Sequence, residues 1–459
     1  MKKEEALLNG GIGRTYLSYL IPTIIGMLTN SVYCIVDVMF VGVYLGSEGL
    51  AAFNIAMPIF TIYSSIGLML GVGGATTMSV LIGMGEKNRV NQVFTMTVLT
   101  SAGIGLLMTV GGLVFLRPLA MALGAPPELV RDVMEYLFPL QVIAMFYILN
   151  GTLQVVIRAD YNPKLVMAAA VSGNAMNILF DWLFVGVFHW GLAGASTATA
   201  LGPITAIIIL SFHYILRKNS MHFTRKFFDR ALFLRIFRNG VGTCILEFSS
   251  GAVVMMFNFV LLRVSGQAAV AVYAIVSNIA YVGKGIFNGI SQAAQPLISV
   301  NYGAANYPRI QKSLRVAVGY AIGFALICYA AILIFPEQIV RVFIGSDLSL
   351  LEMGISASKI YFISFVFTAV NSVLMYYFQS VENIKITTLI ALLRGVAFVV
   401  LGLCIFPWVW KETGVWLTIT FAEVLTLLLV FPIKRRFDMG MRSRFNLQNQ
   451  ADTAHPDPA

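Results

Sequence analysis

Charge is scarce in this chain. Of its 459 residues only 11% are Asp, Glu, Lys or Arg, against roughly 25% in ordinary soluble domains, and 58% are hydrophobic; a water-facing exterior cannot be built from this composition. Paired cysteines are also missing. Cys34, Cys244, Cys328 and Cys404 stand one by one inside apolar runs, which argues against a disulfide framework or a zinc site and for four small hydrophobes. No phosphate loop of the G-x-x-x-x-G-K-[ST] type, no H-E-x-x-H and no G-x-S-x-G is present, and the four His residues (189, 213, 222, 455) are scattered. ATP-driven transport and the common hydrolases therefore lose their signatures. The fragment Gly283-Lys-Gly-Ile-Phe-Asn-Gly has no βαβ surroundings and is not a dinucleotide fingerprint. The net charge of +10 comes without a nucleic-acid motif or basic face, so nucleic acid is not a partner. The start, MKKEEALLNGGIGR, runs into apolar sequence with no small-residue cleavage site and reads as a retained first span.

What the chain has is apolar length. Runs able to cross a bilayer fall at 15–44, 51–83, 91–117, 130–157, 164–187 and 191–216, and again at 236–262, 268–301, 310–336, 355–380, 386–410 and 413–433. Continuous hydrophobicity calls for helices, since barrel strands alternate. The fold class is thus all-α and polytopic, with twelve transmembrane helices in two pseudo-symmetric six-helix bundles. Between the sixth and seventh runs lies Arg217 to Arg238, with seven Lys and Arg against the single acid Asp229. With both termini inside, 23 of the 31 Lys and Arg fall in cytoplasmic segments and five in outer ones, while Lys284, Lys359 and Arg394 lie within spans. The positive-inside rule then sets both ends in the cytoplasm, and we expect a multi-pass protein of a bacterial inner membrane. The domain reading is an N-terminal lobe over 1–216, a basic linker over 217–238, a C-terminal lobe over 239–436 and a polar tail over 437–459, expected to be disordered.

The halves repeat. Gly46-Ser-Glu-Gly-Leu-Ala-Ala-Phe-Asn-Ile aligns with Gly266-Gln-Ala-Ala-Val-Ala-Val-Tyr-Ala-Ile at a displacement of 220, and Ser79 with Ser299, Gly83 with Gly303 and Arg89 with Arg309 follow without a gap. From Asn150 and Asn371 onward the displacement is 221, with Asn162-Pro-Lys facing Asn383-Ile-Lys. An even number of spans per half makes both copies enter the membrane in the same sense, a parallel repeat that suggests two bundles around a central cavity.

Ionisable groups in mid-membrane cost roughly 2.5–3.5 kcal/mol each, so every one is a functional candidate. Asp37 lies late in the first span, seven residues and hence two helical turns after Asn30. Asp181 in the fifth span follows Asn177 and Asn174 on one face, and Thr199 shares a face with Ser196 in the sixth. Two carboxylates, an Asn and a Thr suit a hard cation such as Na⁺, or a carboxylate that carries a proton; the alternative is polar glue between helices. Glu247 in the seventh span and Lys284 in the eighth lie at similar depth. They either pair structurally or face a cavity, where Glu247 would attract cationic substrates. Asn150 and Asn371 are further cavity candidates, and Glu423 carries the least weight. Pro22 removes a backbone hydrogen bond from the first helix and offers a hinge.

These residues resemble the multidrug and toxic compound extrusion (MATE) transporters over about residues 10 to 436. The resemblance rests on Asp37-x-x-Phe-Val-Gly, Ala51-Ala-Phe-Asn-Ile, the stretch GVGGATTMSVLIGMGEKNR from Gly71 to Arg89, Gln295-Pro-Leu-Ile-Ser-Val-Asn-Tyr-Gly-Ala and Asn177-Ile-Leu-Phe-Asp181. It implies two six-helix lobes with a substrate cavity, no cofactor, and export of amphipathic, often cationic drugs in exchange for H⁺ or Na⁺ by alternating access. By the same resemblance, Asp37, Asn177, Asp181 and Thr199 match the family's N-lobe cation and proton network, as metal ligands if the ion is Na⁺. Pro22 matches the proline that bends its first helix, and Glu247 the seventh-helix acid of NorM-type members. Two departures place the chain on the DinF and MepA-like side: the tenth span offers Asn371 where NorM-type members carry an aspartate, and Tyr161 stands where the family has Gly. The expectation is a monomeric exporter in the lipid bilayer, not an enzyme. The rivals are a flippase for lipid-linked or other anionic metabolites, with Lys284, Lys359 and Arg394 as phosphate holders, and a membrane enzyme or receptor.

Overall fold

The computed structural model describes residues 2–344 and 350–454, and these residues form helices and connecting turns without a strand. Among the described residues seven helices are long and apolar enough to cross a membrane, and two bent pairs, Val130–Val142 with Ala144–Ala159 and Leu351–Tyr361 with Ser364–Ser380, bring the number to nine. Three of the seven are too long for one crossing. Ile12–Gly83 has 72 residues, about 108 Å at 1.5 Å per residue, against a hydrocarbon core of about 30 Å. Each of the three contains one non-helical residue, Gly46, Gly266 or Lys411. Divided there, nine become the twelve spans read from the sequence.

The repeat is written in the backbone. Gly46 (φ 67°, ψ −159°) and Gly266 (φ 78°, ψ −166°) make the same left-handed break, which glycine enters without the Cβ penalty. Further positive-φ residues recur in step: Gly85 with Ala305 and Tyr161 with Glu382. Asn162 and Asn383 each cap the following helix, accepting from Leu165 N (3.4 Å) and Ile386 N (3.3 Å).

The helices gather into two compact units, one made of residues 21–81 and 86–248 and the other of 1–20, 82–85 and 249–459. The units therefore do not follow the sequence halves. In the first, the seventh helix begins at Arg230, inside the basic linker, where Asp229 caps it by accepting from Ala231 N (2.8 Å). It then crosses the second span so closely that a Cβ on Gly240 would lie 2.0 Å from the Met69 carbonyl oxygen. Asn239 donates there to Thr77 Oγ1 (2.9 Å). The linker docks on the third span, with His222 N donating to Asn91 Oδ1 (2.9 Å) and Thr224 N to Thr95 Oγ1 (3.0 Å). In the other unit the chain's start is held by its own contacts. Arg309 donates to the Leu7 and Gly10 carbonyls (both 2.9 Å), and Tyr16 Oη donates to the Ile290 carbonyl (2.8 Å). The chain passes from this unit into the first just before Pro22, which is buried.

The tail departs from expectation. The twelfth helix continues to Ala454, and Asp438, Met441 and Phe445 are buried at i, i+3 and i+7. Phe445 packs on Tyr302 with ring centroids 5.8 Å apart, and Asp438 accepts from Tyr377 and pairs with Lys434 (2.5 Å). Polar composition concealed this narrow buried stripe; the final residues 455–459 lie outside the described ones.

Lipid-facing surface is abundant. Leu107, Met255 and Trp408 are 73%, 75% and 89% exposed, which an aqueous exterior would not favour, and Trp190 and Trp410 stand half-exposed beside the turns of their repeats, as in an interfacial aromatic belt.

Candidate functional site

The acids singled out from sequence come together in the unit of residues 21–81 and 86–248. Its fifth span, Pro163–Asp181 with the π-helix Trp182–Val187, packs along the sixth, Gly191–Ile215. The close approach has a cause. A Cβ on Gly173 would lie 2.8 Å from the Gly202 carbonyl oxygen, so the two backbones touch where both side chains are absent. One turn along each helix, Asn177 Nδ2 donates to Thr199 Oγ1 at 3.4 Å. Asp181 follows Asn177 by one turn and is the last residue before the helix widens into its π turn, a device frequent at functional positions.

Asp37, Asn177, Asp181 and Thr199 are all at most 5% exposed. Asp37 and Asp181 are electrostatic neighbours. Their charge has no local counterpart: among the described residues neither carboxylate is in an ion pair, and Asp37 Oδ1, both Asp181 oxygens and Asn177 Oδ1 have no hydrogen-bond donor. Unpaired buried carboxylates are costly, so two of them in one apolar unit call for a proton or a cation. Buried carboxylate and amide oxygens with free lone pairs are also the donor set that Na⁺ takes, and the residues fit that ion as well as a proton.

Two tyrosines complete the cluster, and sequence reasoning missed both. Tyr136 is fully buried, faces Thr199 and has Asp37 and Asp181 as electrostatic neighbours. It is held edge-on by Phe53, with ring centroids 5.4 Å apart. Tyr147 hydrogen-bonds Tyr33 and lies near both Asp37 and Glu247. Aromatic hydroxyls in an apolar span carry no sequence signal separating them from packing residues. Glu247, in the part of the seventh helix that belongs to this unit, therefore stands in the same electrostatic neighbourhood as Asp37. Asn150 is half-buried and accepts from Gln154 Nε2 (3.2 Å).

The other unit arranges its polar groups differently. Asn371 is fully buried and donates to Glu423 Oε2 (2.7 Å) and to its carbonyl (2.8 Å). Arg394 gives Glu423 Oε1 two bonds (3.2 and 2.8 Å) and Ser372 Oγ one (3.1 Å), with both charged side chains 7% exposed. Glu423, given the least weight from sequence, is thus the centre of a buried network, and Arg394 is occupied by it. Lys284 belongs to this unit but joins no ion pair among the described residues.

Comparison with known proteins agrees with this architecture. The MatE family model matches residues 22–183 and 241–404, one stretch in each repeat. The multidrug export protein MepA of Staphylococcus haemolyticus is 23% identical over 457 residues, covering 98% of this chain and all of that protein. Among solved structures, an outward-facing multidrug resistance MATE transporter of the MOP superfamily superposes with a TM-score of 0.90 at 23% identity, over 95% of this chain and 98% of that one. A MOP-superfamily transporter from Pyrococcus furiosus, described as having a binding pocket of reversed polarity, gives 0.90 at 24% identity, over 96% and 99%.

Proposed function

The chain belongs to the MatE family of transporters, and from that premise we propose that it is a secondary active exporter of amphipathic drugs, many of them cationic, driven by the inward movement of H⁺ or Na⁺. Asp37 and Asp181 carry the coupling ion or proton, with Asn177 and Thr199 as neutral ligands and Glu247 drawing cationic head groups. The observation that carries this reading is the pair of buried carboxylates with no basic partner among the described residues. The MepA relative is itself a multidrug export protein. The protein acts as a monomer in a bacterial inner membrane with both termini in the cytoplasm, and it performs no chemistry on its cargo.

Coupling follows from differential binding. Occupied by its ion, the Asp37–Asp181 cluster is neutralised and favours one orientation of the transporter; the drug favours the other, and each can shift the equilibrium only by its difference in affinity for the two. Pro22 lies where the first helix passes between units and lacks an N–H for the helix ladder, so bending there is cheap.

The test is ethidium efflux from energised vesicles under a pH gradient or a Na⁺ gradient imposed separately. Efflux driven by one gradient and lost in Asp37→Asn supports the reading and names the ion; wild-type efflux in both Asp37→Asn and Asp181→Asn, at normal expression, refutes it.

A further inference from the structure

Lys284 stands near the middle of the eighth span, eighteen residues past the Gly266 break. A lysine at that depth is expensive against lipid, which makes it a functional candidate. Its side chain is exposed, yet its electrostatic neighbours are the buried Arg394 and Glu423 and the hydroxyl of Tyr273. The adjacent Gly283 is pressed to the tenth span, where a Cβ would meet the Phe365 ring at 2.4 Å. The lysine is thus exposed beside a tightly packed helix contact and a buried ion pair of its own unit.

The charge balance there is one-sided. Glu423 is already matched by Arg394 and receives Asn371 on its other oxygen, which leaves the Lys284 ammonium as an excess positive charge. Tyr273 and Ser277 lie eleven and seven residues before it, on the same helical face, and add hydroxyls to the stripe. A lysine held for structure is normally engaged by a carboxylate or by carbonyls; this one has no hydrogen bond or ion pair among the described residues. With Glu423 engaged by Arg394, a direct partner of opposite sign is left for the cargo to supply.

We propose that Lys284 is an anion-recognition point, and that the cargo includes amphiphiles whose polar end is an acidic group, a carboxylate or a phosphate. This deepens the export reading and rests on it. Glu423 and Arg394 act as positioning residues, fixing a neutral wall beside the ammonium so that its charge is not quenched.

Binding to the purified full-length protein separates this proposal from export. The probes are a dansylated dodecanoate and the matching dansylated dodecyl trimethylammonium, which share an apolar body and differ in charge. Lys284→Ala should weaken the dodecanoate at least about tenfold and leave the ammonium probe within about twofold, with Lys284→Arg restoring most of the loss. Unchanged dodecanoate binding in Lys284→Ala, or equal loss of both probes, overturns the proposal. So does a wild type that binds only the ammonium probe, a result that leaves the export reading intact; conversely, Lys284-dependent binding without gradient-driven ethidium efflux would sink the export reading alone. Competition by phosphatidylglycerol and not phosphatidylcholine would identify a lipid phosphate as the source of the anion, and competition by neither a soluble amphiphile. Either outcome supports the site.

Discussion

Where the fifth and sixth spans cross, Gly173 and Gly202 touch backbone to backbone; in the corresponding two spans of the other repeat, Arg394 and Glu423 are joined at 2.8 Å. The neighbouring positions have diverged too. At displacements of 220 and 221, Asp37, Asn177 and Asp181 fall opposite Phe257, Phe398 and Gly402. One repeat thus buries acids without a basic partner among the described residues and lets two helices meet so that Asn177 reaches Thr199. The other carries a tethered guanidinium in its core and spends its polar groups on it. On the proposed reading one fold serves two purposes: a site for a mobile cation or proton, and a site that has its cation built in.

The comparison breaks most sharply at the acids. Asp37→Asn or Asp181→Asn should lower ion-driven ethidium efflux by at least about tenfold, or about 1.4 kcal/mol or more of barrier, with little change in thermal stability, since no ion pair is lost. In the other repeat the signs reverse. Glu423→Gln or Arg394→Met alone leaves half of a buried pair behind and should cost about 3–5 kcal/mol, read as a fall in melting temperature of the purified protein. The double variant Arg394→Met/Glu423→Leu should recover most of that stability and retain efflux.

Smaller effects sharpen the same contrast. Gly173→Ala should cost about 1–3 kcal/mol through overpacking and raise the apparent KM for the coupling ion by separating Asn177 from Thr199, seen in initial rates across an ion titration. Gly402→Ala serves as a comparison, since its Cβ would meet a Thr418 methyl at 2.8 Å and not a backbone oxygen. The least change is expected at Tyr161, whose left-handed backbone (φ 63°) is a conformation glycine takes freely. Tyr161→Gly should raise stability by less than about 1 kcal/mol and leave efflux unaltered.

The sequence made Asp37, Asn177, Asp181 and Thr199 visible because ionisable and amide groups stand out in apolar runs, and because spacing of four and seven puts them on one helical face. It made the repeat visible through Gly46 and Gly266, whose backbone only glycine adopts without cost. Tyr136 and Tyr147 stayed hidden among packing aromatics. The Arg394–Glu423 pair stayed hidden for another reason: the two residues are on different helices, and linear sequence does not state how each helix is rotated. The unit boundary before Pro22 and the helical tail depend likewise on which faces meet, and the tail's stripe of Asp438, Met441 and Phe445 is only three residues wide.

The central claim is that the coupling ion resides among the acids of the first repeat and nowhere in the second. The most direct measurement is the release of H⁺ or Na⁺ from the purified transporter on addition of ethidium, counted per protein in wild type, Asp37→Asn/Asp181→Asn and Arg394→Met/Glu423→Leu. Release in wild type and in the Arg394–Glu423 variant, with none from the double aspartate variant, is the predicted result. Release that persists without the two aspartates, or that vanishes with the Arg394–Glu423 pair, would contradict it.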